Sequence, residues 1–132
     1  MRVTAVVAFL ILCTTALEVT MADEAMTSDP LRGKTIRWTF TDGPIPASFE
    51  HTFRQDGSLV WRVLDGQMKG GSGEEKKYSA ARVADDVYVV SYLAASGHTL
   101  TVILNLKDKR MYGYASNEKE WFALHGTVDD VQ

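Results

Sequence analysis

Arg62 is the charged residue whose sequence neighbours most strongly suggest a chemical role. It lies in the middle of Leu59-Val60-Trp61-Arg62-Val63-Leu64, where every other residue is apolar. If the side chain points inward, the guanidinium needs a partner, and its planar set of donors suits a carboxylate of the protein or of a ligand. If it points outward, Arg62 is an ordinary surface residue. Both faces of the segment are apolar, so the pattern leaves the two orientations open.

Aromatic residues are numerous enough to line a cavity. Trp38 and Phe40 share one face of a strand-like segment, and Tyr88 and Tyr92 share a face of another. These rings could pack an ordinary core. They could also wall a cavity in which tyrosine hydroxyls orient a ligand. We expect Trp38, Phe40, Tyr88 and Tyr92 to form such a wall, with Arg62 as the polar anchor.

The other residues of catalytic or metal-binding type form no recognisable motif. His51, His98 and His125 lack a second ligand at a metal-binding spacing, and no serine stands in a GxSxG motif. The segment Gly70-Gly71-Ser72-Gly73 precedes no predicted helix, so we interpret it as a flexible hairpin and not as a phosphate-binding loop. The sequence therefore predicts no metal and no cofactor.

Turn signals recur along the chain and predict an all-β domain. Asp56-Gly57, Asp65-Gly66 and Ser96-Gly97 are examples, and the segments between such turns alternate in polarity or are β-branched and aromatic. Eight strands are predicted, over residues 35–40, 48–54, 59–64, 78–83, 87–93, 99–104, 110–115 and 121–127. Eight short antiparallel strands can close into a small barrel that holds one small ligand, with a sandwich as the second choice.

The N-terminal residues have the composition of a signal peptide. Arg2 precedes an apolar run over residues 3–17, and Thr20-Met21-Ala22 is a suitable cleavage site. Glu18 ends the run before it reaches the roughly 20 residues of a membrane span. The mature protein is therefore expected to be periplasmic or secreted, without a stable membrane anchor.

The cleavage site and the strand pattern divide the chain into three segments. Residues 1–22 are the predicted signal peptide, residues 23–32 an extended leader, and residues 33–128 the barrel domain. Cleavage removes Cys13, the single cysteine, so the mature chain forms no disulfide and uses no thiol chemistry.

Composition and charge narrow the range of partners. The 132 residues are 45% hydrophobic and 23% charged, which suits one globular domain. A net charge of -3, with no basic cluster, argues against nucleic acid as a partner. The sequence leaves the oligomeric state open.

Several segments resemble the MoaF-like domain of the calycin superfamily. The resemblance covers about residues 33–128. It implies a calycin-like (lipocalin-like) barrel of about eight antiparallel strands, in agreement with the strand pattern. The segments that carry it are Gly33-Lys34-Thr35, Glu50-His51-Thr52-Phe53, Asp56-Gly57, Val60-Trp61-Arg62-Val63, Tyr78-Ser79-Ala80, residues 85–92 and residues 99–105.

The same region is distantly similar to the phenolic acid decarboxylases, which work without a cofactor. Trp61-Arg62 matches a Tyr-Arg step of that family, whereas Trp38-Thr39-Phe40 replaces a Tyr-Thr-Tyr strand. Asp85 stands where the family has a glutamate. The resemblance implies that the cavity is kept while the two tyrosine hydroxyls are lost.

We therefore predict an exported, non-catalytic barrel that holds a small hydrophobic or aromatic molecule, which could carry an anionic group. One alternative is a cofactor-independent lyase that uses Arg62 and Asp85. A third is a structural barrel without a ligand.

Overall fold

The computed structural model describes residues 28–129 and 131–132. The predicted signal peptide and residues 23–27 of the predicted leader lie outside the described residues. The described part of the chain contains no helix with the length and hydropathy of a membrane span.

Nine strands make up the described fold. Each of the eight predicted strands is present, with its ends shifted by no more than one residue. The all-β, antiparallel prediction is therefore confirmed, but the strand count is nine. The strands are β1 Thr35–Phe40, β2 Ala47–Phe53, β3 Leu59–Val63, β4 Ser72–Glu75, β5 Ser79–Ala84, β6 Val87–Leu93, β7 Thr99–Asn105, β8 Arg110–Ser116 and β9 Trp121–Val128.

The additional strand is β4, which begins inside the segment predicted to be a flexible hairpin. Its residues, Ser-Gly-Glu-Glu, include no β-branched or aromatic side chain, so propensity did not reveal it. Backbone pairing with β3 forms it instead, with Trp61 opposite Gly73 and Leu59 opposite Glu75. The flexible-hairpin prediction is therefore wrong for Ser72 and Gly73.

All nine strands belong to one antiparallel sheet, in the order β4-β3-β2-β1-β9-β8-β7-β6-β5. Only three residues separate β4 from β5, although these strands are the two edges of the sheet. A flat sheet of nine strands would place its edges about 38 Å apart, whereas three linking residues reach about 14 Å. The sheet must therefore curl, and it forms a half-barrel. No ladder joins β4 to β5 among the described strands.

The inside of the half-barrel has two different ends. At the closed end, which lies by the β2–β3, β5–β6 and β7–β8 turns, apolar side chains fill the interior. At the other end, which lies by the β1–β2, β3–β4, β6–β7 and β8–β9 turns, the interior holds a cavity. The side chains at the closed end are Leu31, Ile36, Phe53, Leu59, Leu104, Met111 and Val128, all nearly or fully buried.

Part of the predicted leader belongs to the core. A turn over residues 30–33 places Leu31 in the closed end with no exposed surface. Asp29 supports the turn, since its carboxylate accepts a 3.0 Å hydrogen bond from the Leu31 amide and another from the Tyr78 hydroxyl. The folded domain therefore begins before Gly33, the predicted boundary.

Candidate functional site

The cavity at the open end of the half-barrel has a volume of about 290 Å³ and an almost entirely apolar wall. Strands, hairpin loops and turns all contribute to it. Its lining consists of Phe40, Pro44, Ile45, Phe49, His51, Trp61, Met68, Tyr92, Ala94, Ala95, Ser96, His98, Leu100, Ala115, Phe122 and Leu124. No Lys, Arg, Asp or Glu of the described chain is among these residues.

Strand alternation and register bring the wall together. Phe49 and His51 point inward from β2, and Trp61 on β3 lies directly opposite His51. On the other side of the sheet, Ala115 on β8 is paired with both Leu100 on β7 and Phe122 on β9. Because inward positions repeat every second residue, the apolar residues near one end of each strand meet around a common space.

His51 and Tyr92 are the polar groups in the interior of this wall. The Tyr92 hydroxyl and His51 Nε2 share a hydrogen bond of 3.2 Å, which joins β2 to β6 across the interior. The His51 ring also stacks on Trp38, with ring centroids 3.5 Å apart. His51 Nδ1 and Trp38 Nε1 are both buried and have no hydrogen-bond partner among the described residues. An unpaired buried polar atom typically costs about 1 to 3 kcal/mol.

Burial keeps both groups of this pair uncharged. It lowers the pKa of His51 well below its usual value, because a buried imidazolium would lose its hydration. Burial also raises the pKa of Tyr92, and the negative charge of Glu75 adds to the effect. The His51–Tyr92 pair therefore presents a neutral hydrogen-bonding group within an apolar wall.

His98 stands at the rim of the cavity, at the end of the β6–β7 turn. Its Nδ1 lies 3.3 Å from Ser96 Oγ, and its Nε2 lies 3.2 Å from Glu120 Oε1. The side-chain amide of Asn117 is 3.1 Å from the same Nε2. These three contacts hold the imidazole in place and put a carboxylate beside the rim.

The four aromatic residues predicted to form the wall all face the interior, but only two of them reach the cavity. Phe40 and Tyr92 line it. Trp38 lies behind His51 as a fully buried core residue. Tyr88 packs against the core about one strand length from the cavity end of β6, so it does not line the cavity.

Arg62 lies on the outer face of the sheet, and the prediction that it points inward is wrong. Its neighbours Trp61 and Val63 point inward, so alternation sends Arg62 outward, and its side chain is 59% exposed. Its guanidinium is 2.6 Å from Glu50 Oε1, while Arg37 holds the other oxygen of that carboxylate at 2.7 Å. The charge is therefore paired without a ligand.

Asp85 does not line the cavity either. It lies in the β5–β6 turn at the closed end, where its side chain is 97% exposed and pairs with Arg82 at 2.5 Å. The structure thus does not bring Asp85 and Arg62 together, contrary to the lyase alternative.

Sequence reasoning missed the contribution of His51, Trp61 and Phe122. The sequence analysis gives His51 no role in the cavity, yet this residue alternates with Phe49 and Phe53 and so shares their inward face. That alternation was the available signal. The sequence around Phe122 gives no such signal, because the place of this residue in the cavity wall depends on how far the sheet curls.

No cluster of three or more potential metal ligands occurs among the residues that the structure describes. The residues that could hold a small molecule are those of the cavity wall.

The model of the MoaF N-terminal domain matches residues 21–120. The chain belongs to the MoaF N-terminal domain family. The predicted resemblance to MoaF-like domains is thereby confirmed. No curated protein is significantly similar to this MoaF-family chain.

A solved structure shares the fold. The MoaF-family chain is similar to the crystal structure of a Burkholderia vietnamiensis protein described as a "putative beta-lactamase", with a TM-score of 0.65 and 20% sequence identity. The match covers 78% of this chain and 98% of the Burkholderia chain. At this identity the similarity establishes the fold alone.

Proposed function

We propose that this protein is an exported, non-catalytic carrier of one small hydrophobic or aromatic molecule. The observation that carries the proposal is the cavity of about 290 Å³ with an apolar, largely aromatic wall. Ligand sites in proteins typically combine such walls with a few well-placed polar groups. Phe40 and Tyr92, together with Phe49, His51 and Trp61, are the residues we expect to contact the ligand.

The proposal includes a calycin-like barrel of eight strands as the functional architecture. The strands alternate in direction across the sheet, so β4 and β5, at its two edges, run the same way. Only three residues separate them. They can therefore act as a single interrupted strand that lies between β3 and β6 and encloses the ligand.

Two other functions receive less support. A lyase that uses Arg62 and Asp85 would need both residues at the cavity, but one lies on the outer face and the other at the closed end. A structural barrel without a ligand would be expected to fill its interior, as the closed end does. The name of the Burkholderia protein gives no reason to propose β-lactam hydrolysis here, because the similarity extends to the fold alone.

Titration with the neutral fluorophore 1-aminoanthracene tests the binding proposal. Ala115 lines the cavity, so Ala115→Phe should fill part of it and weaken binding at least about tenfold, the effect of roughly 1.4 kcal/mol. The matched control is Ala123→Phe, on the exposed outer face of β9, which should bind like the wild type. Equal loss in both variants, or no binding by the wild type, would contradict the proposal.

Export and ligand identity are tested on the protein purified from its own host. We expect Edman sequencing to find an N-terminus near Asp23 in the extracytoplasmic soluble fraction. Native mass spectrometry of the same sample should show a retained small molecule. An intact Met1 in the membrane fraction would contradict export.

A further inference from the structure

We propose that the cavity selects neutral ligands over anions, and that the His51–Tyr92 pair grips the single polar group of the ligand. The inference rests on the proposed function and specifies its ligand class: a mostly apolar molecule that carries one hydroxyl or carbonyl group. It also assigns the anchoring role, predicted for Arg62, to residues inside the cavity.

The charges around the cavity carry the first part of the inference. An anion in this cavity would leave water without meeting a cation, because the described lining residues include no Lys or Arg. His51 is buried in the apolar wall and its pKa is lowered, so it supplies no positive charge near neutral pH. At the rim, the carboxylate of Glu120 lies beside His98 and offsets any attraction that this ring could offer an anion.

The hydrogen bonds of the pair carry the second part. If Tyr92 donates to His51 Nε2, the tyrosine oxygen can still accept a hydrogen bond from a ligand hydroxyl. If Nε2 carries the proton and donates, the Tyr92 hydrogen is free to bind a ligand carbonyl. A change in the tautomer of His51 therefore lets the same pair bind either a donor or an acceptor group of the ligand. Apart from Ser96 and His98 at the rim, the remaining wall is apolar, so a second polar group that reaches the inner part of the cavity would stay unpaired.

Three probes of nearly equal shape separate these requirements: naphthalene, 2-naphthol and 2-naphthoate. Their affinities are measured at pH 7.5 by displacement of 1-aminoanthracene. We expect 2-naphthol to bind at least about tenfold more tightly than the 2-naphthoate anion, because the carboxylate loses its hydration. We expect 2-naphthol to bind about 3- to 10-fold more tightly than naphthalene, which corresponds to one net hydrogen bond.

Tyr92→Phe tests the anchoring role, since it removes one hydroxyl and keeps the ring. In this variant the preference for 2-naphthol over naphthalene should disappear, while the affinity for naphthalene is kept. The control is Tyr114→Phe, which removes an exposed hydroxyl from the outer face of β8 and should keep the wild-type preference. Circular dichroism establishes that both variants are folded.

The results distinguish this inference from the proposed function. If 2-naphthoate binds as tightly as 2-naphthol, selection for neutral ligands is wrong while the binding function stands. If Tyr92→Phe keeps the preference for 2-naphthol, the Tyr92 hydroxyl is not the anchor. If no probe binds or displaces the fluorophore, both proposals are wrong. The ranking of probes on the wild-type protein decides the charge question even if the variant does not fold.

Discussion

Glu50 shows how a pair of surface arginines can be satisfied without any ligand. Its carboxylate lies between Arg37 and Arg62 on the outer face, with one oxygen bonded to each. Burial alone would raise the pKa of Glu50, but hydrogen bonds and the positive charges of the two arginines outweigh it and lower that pKa. Each guanidinium thus has its own carboxylate oxygen as a partner, and the cluster of three groups keeps one net positive charge.

Arg62→Met is expected to leave ligand binding unchanged. The side chain is exposed on the face opposite the cavity, so the affinity for 1-aminoanthracene should stay within about twofold of the wild type. The free energy of unfolding should fall by less than about 1 kcal/mol, because Arg62 is exposed and Arg37 still pairs with the Glu50 carboxylate. Urea unfolding and fluorescence titration measure the two quantities. Arg37→Met, which removes the other partner of Glu50, is the control, and a tenfold loss of affinity confined to Arg62→Met would contradict the placement.

Among the elements, β4 matters to the site because it supports Trp61. The indole of Trp61 packs over Gly73, and its Nε1 donates a 3.1 Å hydrogen bond to Glu75 Oε1. A Cβ at Gly73 would lie 2.6 Å from Trp61 Cζ2, which is too close for two carbon atoms. Gly73 is thus needed for this position of a cavity-lining ring.

Gly73→Ala should displace Trp61 and weaken the fold. Overpacking against a rigid ring typically costs about 1 to 3 kcal/mol, and the cavity wall should shift with the indole. The measurements are urea unfolding and the ¹H–¹⁵N resonance of the Trp61 indole N–H. Ser72→Ala, an exposed neighbour in the same strand, should change neither. An unshifted indole resonance in Gly73→Ala would show that Trp61 does not pack on this glycine.

The turn around Leu31 is an element of the fold, although the sequence around it is mostly polar. Leu31→Ala should lower the free energy of unfolding by about 2 to 4 kcal/mol, because it empties space in the closed end. The affinity for 1-aminoanthracene should not change, since the cavity lies at the other end. Leu93→Ala, which truncates an exposed leucine of β6, is the control for urea unfolding. A loss below about 1 kcal/mol for Leu31→Ala would contradict its burial.

Eight of the nine described strands could be predicted from the sequence, but the site could be predicted only in part. Alternation such as Ile36, Trp38 and Phe40 against polar neighbours follows directly from the two faces of a strand, so strand limits were found to within one residue. Arg62 has apolar neighbours on both sides, which hides its direction. The direction became clear only from the pairing of Trp61 with His51, a contact that depends on register.

At the scale of the whole molecule, the buried His51 should make stability depend on pH. Its pKa is lowered by burial in the folded protein, whereas an unfolded histidine has a pKa of about 6.5. Unfolding therefore takes up a proton below about pH 6.5, and stability should fall there by up to about 1.4 kcal/mol per pH unit. Above that pH the contribution is fully present.

Urea unfolding at pH 7.5, 6.5 and 5.5 measures this loss. The carboxylates with lowered pKa values, including Glu50 and Asp42, contribute to acid sensitivity only at lower pH, below about 4.5. His51→Phe keeps a ring to stack on Trp38 and removes the titrating group, so its profile should be flatter over this range. An equally steep profile in His51→Phe would show that another group causes the loss.

The unpaired edges of β4 and β5 give the half-barrel a place where its width can change. Separating these two strands breaks no backbone ladder, whereas widening the sheet anywhere else would break one. Local opening of the sheet should therefore occur mainly at these two edges. The amide hydrogens of β4 and β5 should exchange with solvent faster than those of β8 and β9. Deuterium uptake followed by mass spectrometry would measure this order. The proposed carrier could then accommodate ligands of somewhat different width by moving these two edges apart.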